Sequence, residues 1–318
     1  MTTSLREYEA ELTVSEVLEV ADEVVALTLT HPDGDTLPNW TPGAHIDLVL
    51  SADITRQYSL CGRPADQKSW RISVLRARDS RGGSSRVHQL DVGSTVRVRG
   101  PRNHFPLVGS PSYRFISGGI GITPMLPMIA EADAAGAQWT LLYGGRSRGS
   151  MGFLDELAGY GDRVDISPQD ERGHLDLSTY LADPTPQTVV YCCGPAPLLD
   201  AVEAACSGWP AGALHIERFS AKAPAADAKD DSFEVLLVQS GQTVRVAADK
   251  TIFEAVRDCG ISVLGSCLEG ICGTCETTVL AGEPDHRDSV LTEQERASNE
   301  TMMICVSRSR SLQLSLDL

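Results

Sequence analysis

Four cysteines near the end of the 318-residue chain constrain the fold more than any other feature of the sequence. Four residues separate Cys267 from Cys272, two separate Cys272 from Cys275, and 29 separate Cys275 from Cys305. The first three predict a loop whose thiols face one centre. The fourth belongs to a strand-like stretch that must fold back onto the same loop.

This spacing is typical of a plant-type 2Fe–2S cluster, in which four thiolates bind two irons. Gly265, Gly270 and Gly273 would let the loop wrap closely, and its N–H groups can point at the sulfurs and raise the reduction potential. A structural zinc site is the alternative, but such sites usually pair two Cys-x2-Cys units. Cys259, before Gly260 at the end of a helix-like stretch, is predicted to be a core thiol.

The surroundings of the cysteines fit one small domain. The sequence predicts strands at 233–238 and 243–246 joined by a hairpin turn, a helix at 252–259 and a closing strand at 312–316. Residues 221–231 contain almost no large apolar side chains, which predicts an exposed linker before this domain.

The middle third of the chain alternates strands, at 113–117, 139–143 and 188–192, with helices, at 124–135, 153–158 and 197–205. This alternation predicts a parallel sheet that binds ligands at the carboxyl ends of its strands. The first strand leads into Gly118-Gly119-Ile120-Gly121 and a helix N-terminus, a suitable site for a pyrophosphate. The run departs from the G-x-G-x-x-G fingerprint, so the motif alone leaves a simple turn open as the alternative.

The first third predicts a small antiparallel barrel, with strands at 45–50, 70–75 and 95–99. Arg56, Tyr58 and Ser59 place a cation, a ring and a hydroxyl close together. The glycine turn at 81–85 precedes a short helix and could hold a monophosphate, with Arg56 or Arg81 as counter-charge. An exposed strand and a solvated turn are the alternative for either motif alone.

Charge and hydropathy exclude several classes of partner. The chain has 43 Asp and Glu against 27 Lys and Arg, a net charge of −16, so nucleic acid and anionic membranes are poor partners. No apolar stretch reaches the roughly 18 residues that indicate a membrane span, and the start has no apolar segment of a secretory signal. We therefore expect a cytoplasmic protein whose nine cysteines are ligands or buried thiols rather than disulfides.

The motifs together resemble a known family. Arg56-Gln57-Tyr58-Ser59-Leu60, the glycine turn at 118–125, Cys193-Gly194-Pro195 and the cysteine cluster occur in the order found in the ferredoxin–NADP reductase superfamily. The likeness is greater to the phthalate dioxygenase reductase and vanillate demethylase reductase family. It covers almost the whole chain, including the stretches at 101–107 and 285–288.

The resemblance implies a multidomain protein. The domains would be a flavin-binding antiparallel β-barrel (1–108), an NAD-binding α/β domain with a parallel sheet (109–219), a linker (220–231) and an α+β ferredoxin domain of the β-grasp type (232–318). It also implies FMN rather than FAD, NADH as donor, a 2Fe–2S cluster and a Rieske-type terminal oxygenase as acceptor. A cytochrome P450 or a soluble ferredoxin as acceptor remains the alternative, as does a redox sensor that turns over slowly.

The resemblance further implies roles for individual residues. The FMN phosphate would be bound by Arg56, Gly82, Gly83, Ser84 and Ser85. The isoalloxazine ring would be contacted by Tyr58, Ser59, Val74, Leu75, Arg76 and Thr123, with the Ser59 hydroxyl near N5. The nucleotide would be bound by Gly119, Gly121, Cys193, Gly194 and Pro195; Arg146 is a further candidate contact, outside the family pattern. Phe219 would cover the ring face on which nicotinamide stacks, so Ser59, Cys193 and Phe219 would be catalytic.

Two features lie outside this pattern or add to it. Arg146 and Arg148 follow the second strand, where NADH binding favours an acidic residue, and they could accept a 2′-phosphate instead. Near the C-terminus lies an acidic segment, which we define as Glu283, Asp285, Asp288, Glu293, Glu295 and Glu300. Such a segment is either a solvated surface or a rim that steers a basic oxygenase.

Overall fold

The computed structural model describes residues 7–51, 54–77, 82–221 and 231–318. The chain divides into two compact units, Met1–Arg218 and Phe219–Leu318. Arg81 and most of the predicted linker lie outside the described residues. No helix in the described ranges is both long enough and apolar enough to cross a membrane.

The first unit begins with a six-stranded antiparallel sheet in the order β4-β3-β6-β1-β2-β5. Its elements are β1 (Glu9–Ala21), β2 (Val24–Thr30), β3 (His45–Ser51), β4 (Ile54–Ser59), β5 (Ser69–Leu75), α1 (Gly83–Val87) and β6 (Thr95–Arg102). Alternate side chains such as Leu27 and Leu29 are buried on one face. A bridge between Leu60 and Ile72 joins the two edges, so the sheet closes toward the predicted barrel.

The first unit continues with a parallel sheet in the order β11-β10-β7-β8-β9. Its strands are β7 (Ser112–Gly118), β8 (Gln138–Gly145), β9 (Val164–Pro168), β10 (Thr188–Cys193) and β11 (Leu214–Glu217). Its helices are α2 (Ile122–Ala134), α3 (Leu154–Ala158), α4 (Gln169–Arg172), α5 (Leu177–Tyr180) and α6 (Ala196–Ala205). The strand order reverses between β7 and β10, and ligands of open parallel sheets bind at such a switch point. The predicted α/β fold is confirmed.

The second unit has a five-stranded mixed sheet in the order β13-β12-β18-β14-β16 and a small pair, β15 with β17. Its elements are β12 (Phe233–Leu237), β13 (Gln242–Val246), α7 (Ile252–Asp258), β14 (Glu276–Ala281), β15 (Pro284–Asp285), α8 (Glu293–Ser298), β16 (Thr301–Met303), β17 (Arg308–Ser309) and β18 (Gln313–Leu316). The hairpin β12–β13 is antiparallel, whereas β12 and β18 are parallel. This is the predicted α+β arrangement.

The prediction for Cys259 was wrong, because this thiol is exposed. The predicted helix extended one residue too far: α7 ends at Asp258, and Cys259 is its C-cap. The buried stripe of α7 includes Ile252, Phe253 and Val256. Where the helix ends, its 3.6-residue period ends too, so Cys259 does not continue this stripe.

Candidate functional site

The four predicted cluster ligands converge in the second unit. Cys272, Cys275 and Cys305 are buried, and Cys267 is partly exposed. The Cys267 thiol lies within hydrogen-bonding reach of the Cys272 and Cys305 thiols, and Cys275 within reach of Cys305. Hydrogen bonds from Cys272 and Cys305 lower the pKa of Cys267, which favours the thiolate that binds iron.

The loop backbone has the shape that a bound cluster requires. Gly270 and Gly273 have left-handed φ angles of 69° and 72°. A Cβ atom on Gly270 would lie 2.5 Å from Cγ2 of Val306, so only glycine fits there. The Glu269 N–H donates a hydrogen bond to Sγ of Cys267 over 3.3 Å, as the sequence predicted for such a loop.

The donor set is that of a 2Fe–2S cluster, in which two irons share four thiolates. The buried thiols and the N–H to sulfur hydrogen bond therefore fit this cluster.

The predicted phosphate site of the flavin lies at the start of α1. Gly82 is the N-cap of this helix and has a left-handed φ of 87°. The Arg56 side chain crosses this turn, because a Cβ atom on Gly83 would lie 2.6 Å from Cγ of Arg56. The Ser84 hydroxyl accepts a hydrogen bond from Ala77 N–H over 3.1 Å. The Arg56 side chain and the glycine turn therefore lie side by side, as the predicted phosphate site requires.

The predicted ring contacts come from β4 and β5. Burial raises the pKa of Tyr58 to about 12, so its phenol stays protonated. Val74 is buried, and its carbonyl lies 2.9 Å from Nε2 of His88. The Arg76 N–H donates to the carbonyl of Glu23 over 2.8 Å. The Val74 carbonyl and the Arg76 N–H, which were predicted to line the flavin edge, are therefore already hydrogen-bonded within the protein.

One residue of this site was missed from the sequence: Glu217, at the end of β11. Oε2 of Glu217 lies 4.0 Å from Sγ of Cys193, its register partner on β10. The Glu217 carboxyl also has a side-chain hydrogen bond with the buried Ser59, which ends β4 in the other sheet. Burial raises the pKa of Glu217 to about 8, opposed by the hydrogen bond with Ser59. The sequence did contain a signal for Glu217, since it is an acidic residue at the end of a strand and two residues before Phe219, a predicted site residue.

The glycines at the switch point between β7 and β10 are required for different structural reasons. A Cβ atom on Gly121 would lie 2.2 Å from the Cys193 carbonyl oxygen, and one on Gly194 would lie 3.1 Å from Cα of Gly118. These residues let the turns after β7 and β10 pack backbone to backbone. Gly119 has a φ of 55° and nothing within 4 Å of its Cβ position, so it faces open space. Of these glycines, Gly119 is therefore placed for a ligand.

The remaining predicted site residues lie in several different elements. Pro195 is the N-cap of α6, and Thr123 is buried in α2, where its hydroxyl donates to the Ile120 carbonyl over 3.0 Å. Phe219 is the first residue of the second unit and is 40% exposed. Ser85 is half-buried in α1, and Leu75 is half-buried at the end of β5.

The structure supplies an acid near the two arginines after β8. Arg148 forms two hydrogen bonds with Glu171 of α4, of 3.2 Å from Nε and 2.9 Å from Nη2. The Asp170 N–H donates to the carbonyl of Arg146, whose side chain is exposed. The acid that NADH binding favours is thus absent from the stretch after β8 but present on the neighbouring helix.

Comparison with known proteins agrees with this architecture. A family model described as a 2Fe-2S iron-sulfur cluster binding domain matches residues 236–310. The phenoxybenzoate dioxygenase subunit beta of Ectopseudomonas oleovorans is 48% identical over 301 residues, which cover 94% of each chain. A solved phthalate dioxygenase reductase is 35% identical, covers 98% of each chain and superposes with a TM-score of 0.71. The chain belongs to the phthalate dioxygenase reductase family.

The phthalate dioxygenase reductase family consists of oxidoreductases, and this chain is one of them. Its second unit holds the matched 2Fe-2S domain, which favours the iron–sulfur cluster over zinc. The chain is also similar to an intact type IV self-sufficient cytochrome P450 monooxygenase, with 46% identity and a TM-score of 0.92 over 98% of this chain. This reductase spans only 41% of that protein's length.

Proposed function

We propose that this reductase passes electrons from NADH through FMN to a 2Fe–2S cluster and on to a Rieske-type terminal oxygenase. One observation carries the proposal. Ser59 ends a strand of the antiparallel sheet, Cys193 ends a strand of the parallel sheet, and both approach the Glu217 carboxyl. The predicted flavin side and the predicted nicotinamide side of the site therefore meet at one group.

The residues present fit FMN. Arg56 and the turn from Gly82 to Ser85 would hold its single phosphate, and Tyr58 and Ser59 would contact its ring. When bound, a flavin accepts a hydride from the nucleotide and passes electrons on singly. Tyr58 supplies a neutral phenol, because burial keeps it protonated. Ser59 supplies a hydroxyl that is hydrogen-bonded to the Glu217 carboxyl.

The nucleotide would lie along the switch point between β7 and β10. Gly119 would admit its pyrophosphate, and Cys193 would line the nicotinamide position. Glu217 is protonated near neutral pH and so holds a proton beside Ser59 without placing a charge in the site. Phe219 would cover the ring before the nucleotide enters. Arg146 would contact the ribose end.

In the second unit, Cys267, Cys272, Cys275 and Cys305 would hold the cluster. Cys272, Cys275 and Cys305 are buried, and the Glu269 N–H stabilises negative charge on the partly exposed Cys267 sulfur. Names of the relatives support an oxygenase system as the acceptor, since they include a dioxygenase subunit and a phthalate dioxygenase reductase. The Rieske type of that oxygenase is our inference from the resemblance.

Two measurements test the electron chain. Chromatography of the released flavin should give FMN, and iron and sulfide analysis should give two of each per chain. Anaerobic addition of NADH should bleach the flavin and then give the spectrum of a reduced 2Fe–2S cluster. Bound FAD, zinc in place of iron, or a flavin that NADH does not reduce would contradict the proposal.

A cytochrome P450 is the second candidate acceptor, because the P450 monooxygenase noted above contains a region similar to almost this whole chain. The two candidates are separated by supplying the reductase with either a Rieske oxygenase or a P450. Product formed per NADH oxidised should approach one with the Rieske enzyme and stay far lower with the P450. The reverse ratio would identify the P450 as acceptor.

A further inference from the structure

Strand β11, which carries Glu217, is an edge strand of the parallel sheet and has only four residues. In the described part of the chain it pairs with β10 alone. Backbone pairing on one side leaves the end of such a short strand weakly constrained. The Glu217 carboxyl sits at that end and must stay within reach of both Ser59 and Cys193.

Arg218, the next residue, supplies a second constraint. Its side chain is only 7% exposed, and its Nη2 lies 3.3 Å from Oδ1 of Asp200 and 3.0 Å from Oε1 of Glu203. Both acids belong to α6. Arg218 directly follows β11, and its side chain reaches α6 while the Glu217 carboxyl lies beside Cys193.

Helix α6 is also the helix that follows the Cys193 turn, with Pro195 as its N-cap. The same helix therefore connects to Cys193 through the chain and to Glu217 through the Arg218 ion pairs. Because α6 is linked to both residues, its position determines the distance between the Cys193 thiol and the Glu217 carboxyl. The two acids are 63% and 42% exposed, so removing the arginine leaves no buried unpaired charge.

We infer that Arg218 is a positioning residue for hydride transfer, because its ion pairs to α6 hold the end of β11 and so keep the Glu217 carboxyl at Ser59 and Cys193. This inference rests on the proposed function. Arg218 itself points away from the reacting groups and acts only through Glu217. A purely structural arginine would instead change stability without changing the reaction.

A double-mutant cycle separates these two roles. The holoenzymes of the parent, Arg218→Met, Glu217→Gln and the double variant are mixed with saturating NADH under anaerobic conditions, and flavin reduction is followed by stopped flow. Arg218→Met should slow the reduction roughly 10-fold, since a misplacement of about 1 Å can cost on the order of 100-fold. The double variant should be no slower than Glu217→Gln, because Arg218 has nothing left to position.

Arg163→Met is the matched structural control. Arg163 precedes the opposite edge strand and pairs with Asp133 over 2.5 Å. Its loss should lower the melting temperature and leave flavin reduction unchanged. If Arg218→Met does not fold, the Asp200→Asn, Glu203→Gln variant removes the same ion pairs while keeping the arginine, and it should slow flavin reduction too.

Three outcomes would overturn the inference. Flavin reduction at the parental rate in Arg218→Met or in the Asp200→Asn, Glu203→Gln variant would show that the ion pairs position nothing. Effects that multiply in the double variant would show that Arg218 acts independently of Glu217. A parent enzyme whose flavin NADH does not reduce would instead overturn the proposed function, and the inference with it.

Discussion

The Cys193 thiol sulfur and the Glu217 carboxyl oxygen lie 4.0 Å apart at the ends of two adjacent parallel strands. Ser59 reaches the same carboxyl from the antiparallel sheet. Because burial raises the pKa of Glu217 to about 8, the carboxyl is mostly protonated at neutral pH. The site therefore contains a neutral proton carrier in contact with a hydroxyl and beside a thiol.

The rate of flavin reduction should depend on the protonation of Glu217. In the parent enzyme we expect the rate to fall as the pH rises through about 8, because the carboxyl then becomes charged beside Ser59. Glu217→Gln stays neutral, so its profile should lack this step, and its rate should be lower by roughly 100-fold. Stopped-flow measurements from pH 6 to 9.5 check this. An unchanged inflection in Glu217→Gln would assign the titration to another group.

The same group should make stability depend on pH. The Glu217 pKa is about 8 in the folded state against an ordinary value of 4.5, so the folded protein binds the extra proton between these values. This contribution to the free energy of unfolding is fully present below about pH 4.5 and is lost as the pH rises through about 8. Denaturant unfolding of parent and Glu217→Gln should show the parent losing stability relative to the variant over this range. A constant difference would contradict the raised pKa.

Cys272→Ser should lose the cluster and keep NADH-driven flavin reduction. Cys272 lies in the second unit, whereas Ser59, Cys193 and Glu217 all lie in the first. Iron analysis and the visible spectrum report the cluster, and stopped flow reports the flavin. Cys259→Ser is the matched control, because this exposed thiol is outside the ligand set and its loss should leave the iron content unchanged. A folded Cys272→Ser protein with unreduced flavin would contradict the modular arrangement.

Much of the fold follows from local patterns in the sequence. The strand predicted at 188–192 is observed as Thr188–Cys193, and the helix predicted at 124–135 as Ile122–Ala134. The long strand Glu9–Ala21 was not predicted, because residues 15–19 are all exposed and so show no alternation of buried and exposed side chains to indicate a strand. Periodicity reports only elements with one buried face.

The site was harder to predict than the fold, because it depends on which strand ends lie side by side. The cysteine loop is local in sequence, and its spacing alone identified Cys267, Cys272 and Cys275 as convergent. Glu217 meets Ser59 only after two sheets have formed, and no local pattern encodes that meeting. Gly121 and Gly194 were assigned to nucleotide binding, yet the close approach of two backbone turns already requires them to be glycine.

Nucleotide preference should depend on the Arg148–Glu171 pair. We expect NADH to be the better donor, because Arg148, which a 2′-phosphate would need as its partner, is already paired with Glu171. Glu171→Gln should raise kcat/KM for NADPH about threefold, a small change because exposed ion pairs are weak, and it should not raise the value for NADH. Asp165→Asn, which breaks the exposed pair with Arg172, is the matched control. Higher kcat/KM for NADPH in the parent would overturn the preference.

The last prediction concerns the acidic segment, whose members differ in the structure. Asp288 is buried, where it accepts hydrogen bonds from Val290 and Leu291 N–H groups, so it belongs to no surface rim. The Glu295 carboxylate caps α8 by accepting from Thr292. Glu293 and Glu300 are exposed. They are therefore the members of the segment whose replacement tests docking without disturbing the fold.

Glu293→Gln with Glu300→Gln should slow electron delivery to the oxygenase about threefold at low salt and not at high salt, because steering acts on association and is screened. Flavin reduction by NADH should be unchanged. Glu11→Gln with Glu19→Gln removes the same charge from exposed positions of β1 in the first unit and is the control. Equal rates for the first variant and the parent at low salt, with the reductase limiting, would remove Glu293 and Glu300 from the docking surface. A matching loss in the control variant would show that net charge, rather than this segment, steers the oxygenase.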